Sequence, residues 1–261
     1  MILLVASKLD ICAKNMANYI IENYNSELIK DNLYKIDNLH LILIEEEALY
    51  AEWLEQFDVD AYVFLSKHRS EKNIPALTSH FTGNFNKAEF GGNDKELAYT
   101  FPSLQKYYMI NLYEKRDKLK DYQIVIEATH HGPTSLSKPS LFIEIGSSIE
   151  QWNDRNAIEI VCDTLIQTLR DIRYARKVAI GLGGTHYPLK FNKLLLESEC
   201  ALGHIAPKYA LEFVDKHILD QMIDKSIEKI DNIILDWKGL GREKERLKDL
   251  LSSYNLEITR V

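Results

Sequence analysis

The chain has 261 residues, 46% of them hydrophobic and 27% charged, enough to bury a substantial core as one large domain or two small ones. Its formal charge of −7 argues against a broad nucleic-acid-coating surface, whose affinity comes from neutralising many phosphates, and leaves room only for a local basic track. Three widely spaced cysteines, Cys12, Cys162 and Cys200, with no CxxC, argue against a disulfide scaffold and a thiolate zinc site.

The opening run MILLVASK lacks a basic n-region and a small-residue cleavage site, so it reads as a first strand, Ile2–Ala6, and a cytoplasmic protein is expected. No apolar run approaches the ~18 residues needed to cross a bilayer, so no membrane partner is expected. A helix follows at Ile11–Tyr24, with Asp10 as N-cap and Ile11, Met16, Ile20 and Ile21 near one face. Strands are predicted at Leu41–Ile44, Ala61–Leu65 and Ala76–Ser79. The polar, glycine-containing stretch 85–100 reads as a surface excursion ahead of a helix at Ser103–Leu119. Strands at Ile124–Ile126 and Leu141–Ile145 come next, then one long helix from Ile149 to about Arg173, begun by the capping-box pattern Ser147-Ser148-Ile149-Glu150. Strands at Val178–Leu182, Cys200–Gly203, Ile230–Leu235 and Leu256–Thr259 complete the chain. This alternation predicts an α/β fold, a wound, mostly parallel or mixed sheet with helices on both faces, and residues 1–261 as one integrated unit.

Six of the eight histidines, His68, His80, His130, His131, His186 and His204, fall just after predicted strands. Ligands of wound sheets bind outside the carboxyl ends of strands, so these six could converge on one site. Neighbouring side chains usually point in different directions, so only one of His130 and His131 need serve it. Gly183 and Gly184, ahead of Thr185 and His186, permit close backbone approach and could offer N–H groups to an oxyanion. They lack the lysine of a Walker loop and the spacing of GxGxxG. Glu127 and Glu144 end or nearly end strands, where each could act as a general base or a metal's oxygen ligand. Ser147 and Ser148 at a helix start suit an anion, and Lys67 and Arg69 belong to a scatter of basic residues near the same loops. These parts suit zinc-assisted hydrolysis and metal-free acid–base hydrolysis alike; no HExxH and no GxSxG decides between them or adds a nucleophilic serine.

Read in order, the blocks Ser66-Lys67-His68-Arg69-Ser70, Leu77 to Asn84, Glu127-Ala128-Thr129-His130-His131-Gly132-Pro133, Glu144-Ile145-Gly146-Ser147-Ser148, Gly183-Gly184-Thr185-His186-Tyr187 and Gly203-His204-Ile205 resemble the D-aminoacyl-tRNA deacylase family of archaea and plants. The resemblance runs from the first strand to the strand near Ile258. It implies hydrolysis of the ester joining a D-amino acid to the tRNA 3′ end, zinc dependence, and a core akin to phosphorylase/hydrolase-like and peptidyl-tRNA hydrolase folds. On the matched positions the expected roles are catalysis for His130, His186, Glu144, Gly183 and Gly184, and substrate binding for Lys67, Arg69, Ser147, Ser148 and Thr185. Metal ligation is expected of His68, His80, His131 and His204. The expected partner is the aminoacylated 3′ end of tRNA, without DNA, in a monomer or small homo-oligomer. Another metal-dependent hydrolase, a nucleoside phosphorylase on a similar scaffold, and a noncatalytic tRNA-end binder are the competing readings.

Overall fold

The Asp10 carboxylate accepts from the backbone N–H groups of Cys12 and Ala13, which fixes the turn from β1 (Ile2–Ser7) into α1 (Ile11–Asn23). The same carboxylate accepts from Lys67 N–H, so this cap also ties the first βα turn to a later strand end. The computed structural model describes residues 1–261.

A hairpin, β2 (Ser26–Lys30) and β3 (Leu33–Ile36), leads into β4 (Leu39–Ile44). Next come β5 (Ala61–His68), β6 (Ala76–Phe81), α2 (Pro102–Tyr113), β7 (Gln123–Ile126) and β8 (Ser140–Gly146). These eight strands form one sheet in the order β2-β3-β4-β1-β5-β8-β6-β7. Strands β4, β1, β5 and β8 run parallel, whereas β6 lies antiparallel to β8 and carries β7 parallel to itself. The rest comprises α3 (Ile149–Trp152), α4 (Arg155–Arg170), β9 (Lys177–Leu182), α5 (Leu189–Glu197), β10 (Cys200–Ala206), α6 (Lys216–Asp224), β11 (Asn232–Leu235), α7 (Lys244–Leu251) and β12 (Glu257–Arg260). Its strands make a second, all-parallel sheet in the order β10-β9-β11-β12.

Residue alternation sorts each strand into two faces. In β1, Leu4 and Ala6 face the main core with Met16 and Ile20 of α1 and Val161 and Leu165 of α4, while Leu3 and Val5 face a smaller cluster closed by Ala51, Leu54 and Val59. The second sheet packs Phe191 and Leu195 of α5 on one face and Ile218, Leu219, Leu247 and Leu251 of α6 and α7 on the other. No helix is long and apolar enough to cross a membrane.

The hairpin β2–β3 is absent from the sequence expectations because almost all of β2 is exposed, leaving no buried stripe to reveal it. The long helix expected from Ile149 to Arg173 is broken after Trp152, where Asp154 caps α4 by accepting from Asn156 and Ala157 N–H. Strands β5, β6 and β10 run further than expected, so His68, His80 and His204 lie within strands. The excursion at 85–100 is pinned to the body by buried Phe85, Leu97 and Ala98 and by the Asn84 amide donating to the Gly91 carbonyl.

Candidate active site

Along β5 the side chains of Tyr62, Phe64, Ser66 and His68 share one face, along β8 Phe142 and Glu144, and along β6 Thr78 and His80. This is the face away from the long helices α1 and α4. Its apolar part ends where the Phe142 ring stacks on Phe64 at 4.7 Å and on His80 at 5.1 Å. The polar part begins there, across the antiparallel junction between β8 and β6. The site therefore joins residues within strands on this face, His68, His80 and Glu144, to residues that follow strand ends as the sequence suggested, Glu127, His130 and His131 after β7 and His186 after β9.

Glu127, just after β7, is its hub. The side chain is wholly buried, with Oε2 2.6 Å from His186 Nε2 and 3.7 Å from His130 Nε2, and Oε1 3.1 Å from His68 Nδ1. Oε1 has no well-aligned hydrogen bond. Burial opposes its ionisation, but the hydrogen bond of His186, the nearby His68 and the neighbouring imidazoles outweigh that and hold the carboxyl well below its ordinary range. Glu144 accepts from Thr78 Oγ1 at 3.1 Å and lies 3.2 Å from His68 Nδ1. Burial again opposes charge and the imidazoles again prevail, lowering its pKa to about 2. His68 loses by burial and gains more from the two carboxylates, ending at about 10, and its Nε2 faces the Tyr187 hydroxyl at 2.7 Å.

Beside this pair stand three imidazoles. The His80, His130 and His131 ring centroids are 4.0 to 4.7 Å apart, and one donor nitrogen from each lies within 4.8 Å of the others. The Nδ1 atoms face the carbonyls of Phe81 at 3.2 Å, Ala128 at 2.8 Å and Gly132 at 2.7 Å. A carbonyl can only accept, so each Nδ1 carries a proton, which in the neutral ring leaves Nε2 with a free lone pair. His80 Nε2 is buried and has no hydrogen-bond partner. Burial and the like charge of neighbouring rings push His130 well down and His131 down to about 3, which keeps both neutral, whereas Glu144 outweighs burial to raise His80. Both members of the His130-His131 pair face the site although only one needed to, and His131 adopts a left-handed φ of 45° that sets its ring beside its neighbour.

Other expected residues lie elsewhere. His204 is buried inside β10, its Nε2 donating to the Ala98 carbonyl at 2.8 Å and its Nδ1 3.1 Å from Thr129 Oγ1; with both nitrogens committed, it is a structural histidine and not a metal ligand. Gly183 donates its N–H to the Ala206 carbonyl at 2.8 Å, and a Cβ on Gly183 would meet Asp236. Gly184 packs against Gly239 and Pro188. The glycine turn thus serves the contact with the segment after β11 and has no N–H pair aimed at the histidines. The Thr185 hydroxyl donates to the Tyr187 carbonyl and the Ser147 hydroxyl to the Ile74 carbonyl, and Ser148 begins α3 with its N–H on the Gln151 side chain, so none of the three faces the histidines.

The histidines sit between two clefts. One, of about 490 Å³, is lined by Lys67, Arg69, His68, Glu127 and Glu144, among others. The other, of about 440 Å³, lies on the far side of His130, His131 and His186 and is lined by Phe90, Tyr209 and Phe213. Lys67 Nζ is 3.9 Å from Asp10, and exposed Arg69 stacks over Trp152 at the edge of a shallow recess that includes Ser147 and Ser148. Sequence reading weighed Glu127 only as one of two carboxylates and gave Tyr187 and Tyr209 no role. Tyr209 Oη lies 3.2 Å from His186 Nδ1.

The two serines in the first cleft, Ser7 and Ser66, donate to backbone carbonyls and stand by no base, and all three cysteines are buried away from it. Water is the nucleophile these groups are placed to activate, so fold and site together define a hydrolase with an α/β fold. The family model described as D-aminoacyl-tRNA deacylase matches residues 55–259. A D-aminoacyl-tRNA deacylase of Cenarchaeum symbiosum is 39% identical over 257 residues, 98% of each chain, and one of Pyrococcus furiosus is 37% identical over 267 residues, 97% of each. A crystal structure of a conserved protein of unknown function superposes with a TM-score of 0.91 at 30% identity, covering 100% of this chain and 95% of that one. The chain belongs to the D-aminoacyl-tRNA deacylase family.

Proposed function

We propose that this enzyme hydrolyses the ester linking a D-amino acid to the terminal ribose of tRNA, releasing both, with water activated at the Glu127–His186 pair. The observation that carries this reading is the buried Glu127 carboxylate 2.6 Å from His186 Nε2, next to three converging imidazoles, in a chain of this family.

The donor set His80, His130 and His131 fits zinc: three imidazole nitrogens converge, each ring oriented by a carbonyl on its other nitrogen, and one of them is buried without a partner. Zinc held there supplies a Lewis acid beside the ester. The chain's own groups handle the protons. Glu127 fixes the proton of His186 on Nε2, which leaves Nδ1, now facing the Tyr209 hydroxyl, as the basic atom. Water attacks the ester carbonyl carbon and gives its proton to Nδ1; as the carbon–oxygen bond to the ribose breaks, Nδ1 returns that proton to the ribose oxygen. The fixed Glu127 charge stabilises the intervening imidazolium. His68 lies between Glu127 and Glu144 and offsets their repulsion.

Lys67 and Arg69 at the mouth of the first cleft supply positive charge for the last phosphates of the RNA. The enzyme acts in the cytoplasm on charged tRNA, as a monomer or a small homo-oligomer. The test is deacylation of matched D- and L-tyrosyl-tRNA with and without a chelator, in buffer free of phosphate. The expected result is hydrolysis of the D form alone, lost on metal removal. Equal rates on both enantiomers reject chiral proofreading, unchanged D turnover after verified metal removal rejects zinc, and a phosphate requirement favours a phosphorylase.

A further inference from the structure

The ester needs two compartments beside the histidines, one for the RNA end and one for the amino acid, and the two clefts differ in chemistry. The first carries Lys67 and Arg69 and continues past Arg69 to the recess at Trp152. The second has a single lining cation, Lys87, already bonded to Asp94. Lys67 faces Asp10 at 3.9 Å, so the lining cation without a carboxylate partner is Arg69, and an RNA phosphate has its unpaired charge partner on the first side.

The second cleft is instead aromatic. Tyr209, after β10, is 57% exposed and lines this cleft alone, and Phe90, from the 85–100 excursion, is 61% exposed where the two clefts meet and lines both. Phe213 lies on the same wall as Tyr209, half-buried against the small core. Large rings left in water at one concave place mark a binding surface, and aromatic side chains gain from packing on other rings or apolar groups. Continuity with the centre is direct, because His130, His131 and His186 line both clefts.

We infer that the cleft lined by Phe90, Tyr209 and Phe213 is the side-chain subsite for the D-amino acid, and that it favours large aromatic and apolar residues over small ones. The inference rests on the proposed deacylase reading and adds the orientation of the substrate: RNA on the Lys67–Arg69 side, amino acid on the aromatic side. The chemistry left open is a terminal adenine, which also stacks on aromatic rings, and the test separates the two.

The experiment measures kcat/KM of the metal-loaded full chain for D-tyrosyl-, D-phenylalanyl- and D-alanyl-tRNA, with Phe213→Ala to remove a wall and Asn86→Trp to fill the cleft from a residue that lines it without a side-chain hydrogen bond. An amino-acid subsite predicts that each variant lowers the tyrosyl-to-alanyl selectivity ratio by about tenfold, the size of one lost aromatic contact. Equal losses on all three substrates place the shared adenosine in this cleft and overturn the inference, as do unchanged ratios in folded Asn86→Trp protein. Failure of the deacylase reading itself looks different: the unmodified enzyme leaves every D-aminoacyl-tRNA intact.

Discussion

The 2.6 Å contact between His186 Nε2 and Glu127 Oε2 joins the two sheets, since Glu127 follows β7 of the large sheet and His186 follows β9 of the small one. Two backbone bonds reinforce it, Ala128 N–H to the His186 carbonyl at 2.9 Å and Thr129 N–H to the Ile205 carbonyl at 3.0 Å. The pair proposed for proton transfer is thus positioned by the seam of the fold.

Glu127→Gln tests that pair. The amide keeps the shape but can present its N–H₂ to His186 and cannot stabilise an imidazolium, so kcat should fall by about 10³-fold with KM nearly unchanged. Steady-state kinetics and a far-ultraviolet spectrum check it; a fall of less than tenfold in folded protein removes Glu127 from proton transfer.

Metal content addresses the imidazole triad. His80→Ala, His130→Ala and His131→Ala should each lower bound zinc at least tenfold by elemental analysis, because each removes one of three converging imidazole nitrogens. Zinc retained at full stoichiometry in all three variants excludes this donor set.

What the sequence showed and hid can be seen in particular residues. Strands such as Val178–Leu182 were legible because both faces are buried, and the histidine blocks pointed to a polar centre because so many rings fell near strand ends. That His68 and Glu144 share one face follows from alternation once the strands are paired, but pairing is a long-range fact, and the reversal of β6 against β8 that brings His80 over Phe142 left no local mark. The backbone turn at His131 is likewise a product of its surroundings. A glycine pair announces a tight turn without saying which side it serves. Gly183 and Gly184 serve the packing of the small sheet, and His204 shows that a histidine in a matched block can be wholly structural.

Gly183→Ala separates an oxyanion role from a packing role. At φ of 106° a side chain is strained, and its Cβ would sit 3.0 Å from the Asp236 carbonyl. Stability should fall by about 1–3 kcal/mol, read by urea unfolding, while kcat of the folded enzyme stays within a factor of two. A hundredfold loss of kcat without a stability change would return this glycine to the catalytic centre.

His204 gives a pH signature independent of catalysis. Burial, opposed by the Ala98 carbonyl and reinforced by Lys225, lowers its pKa to about 4, below the roughly 6.5 of an unfolded chain. Below pH 6.5 the unfolded state binds a proton that the native state does not, so this histidine's contribution is fully present above pH 6.5 and is lost as pH falls to about 4. The shift corresponds to about 3 kcal/mol, spread over that window. His204→Phe abolishes this limb of the stability profile, although the unpaired Ala98 carbonyl and Thr129 hydroxyl lower stability at pH 7.5 by about 1–3 kcal/mol. Unfolding midpoints at pH 7.5, 6, 5 and 4.5 for the two proteins, compared as differences, isolate the histidine from the carboxylates that titrate nearby. Parallel profiles would mean that His204 is protonated in the native state, and a loss of zinc on the same substitution would restore it to the metal site.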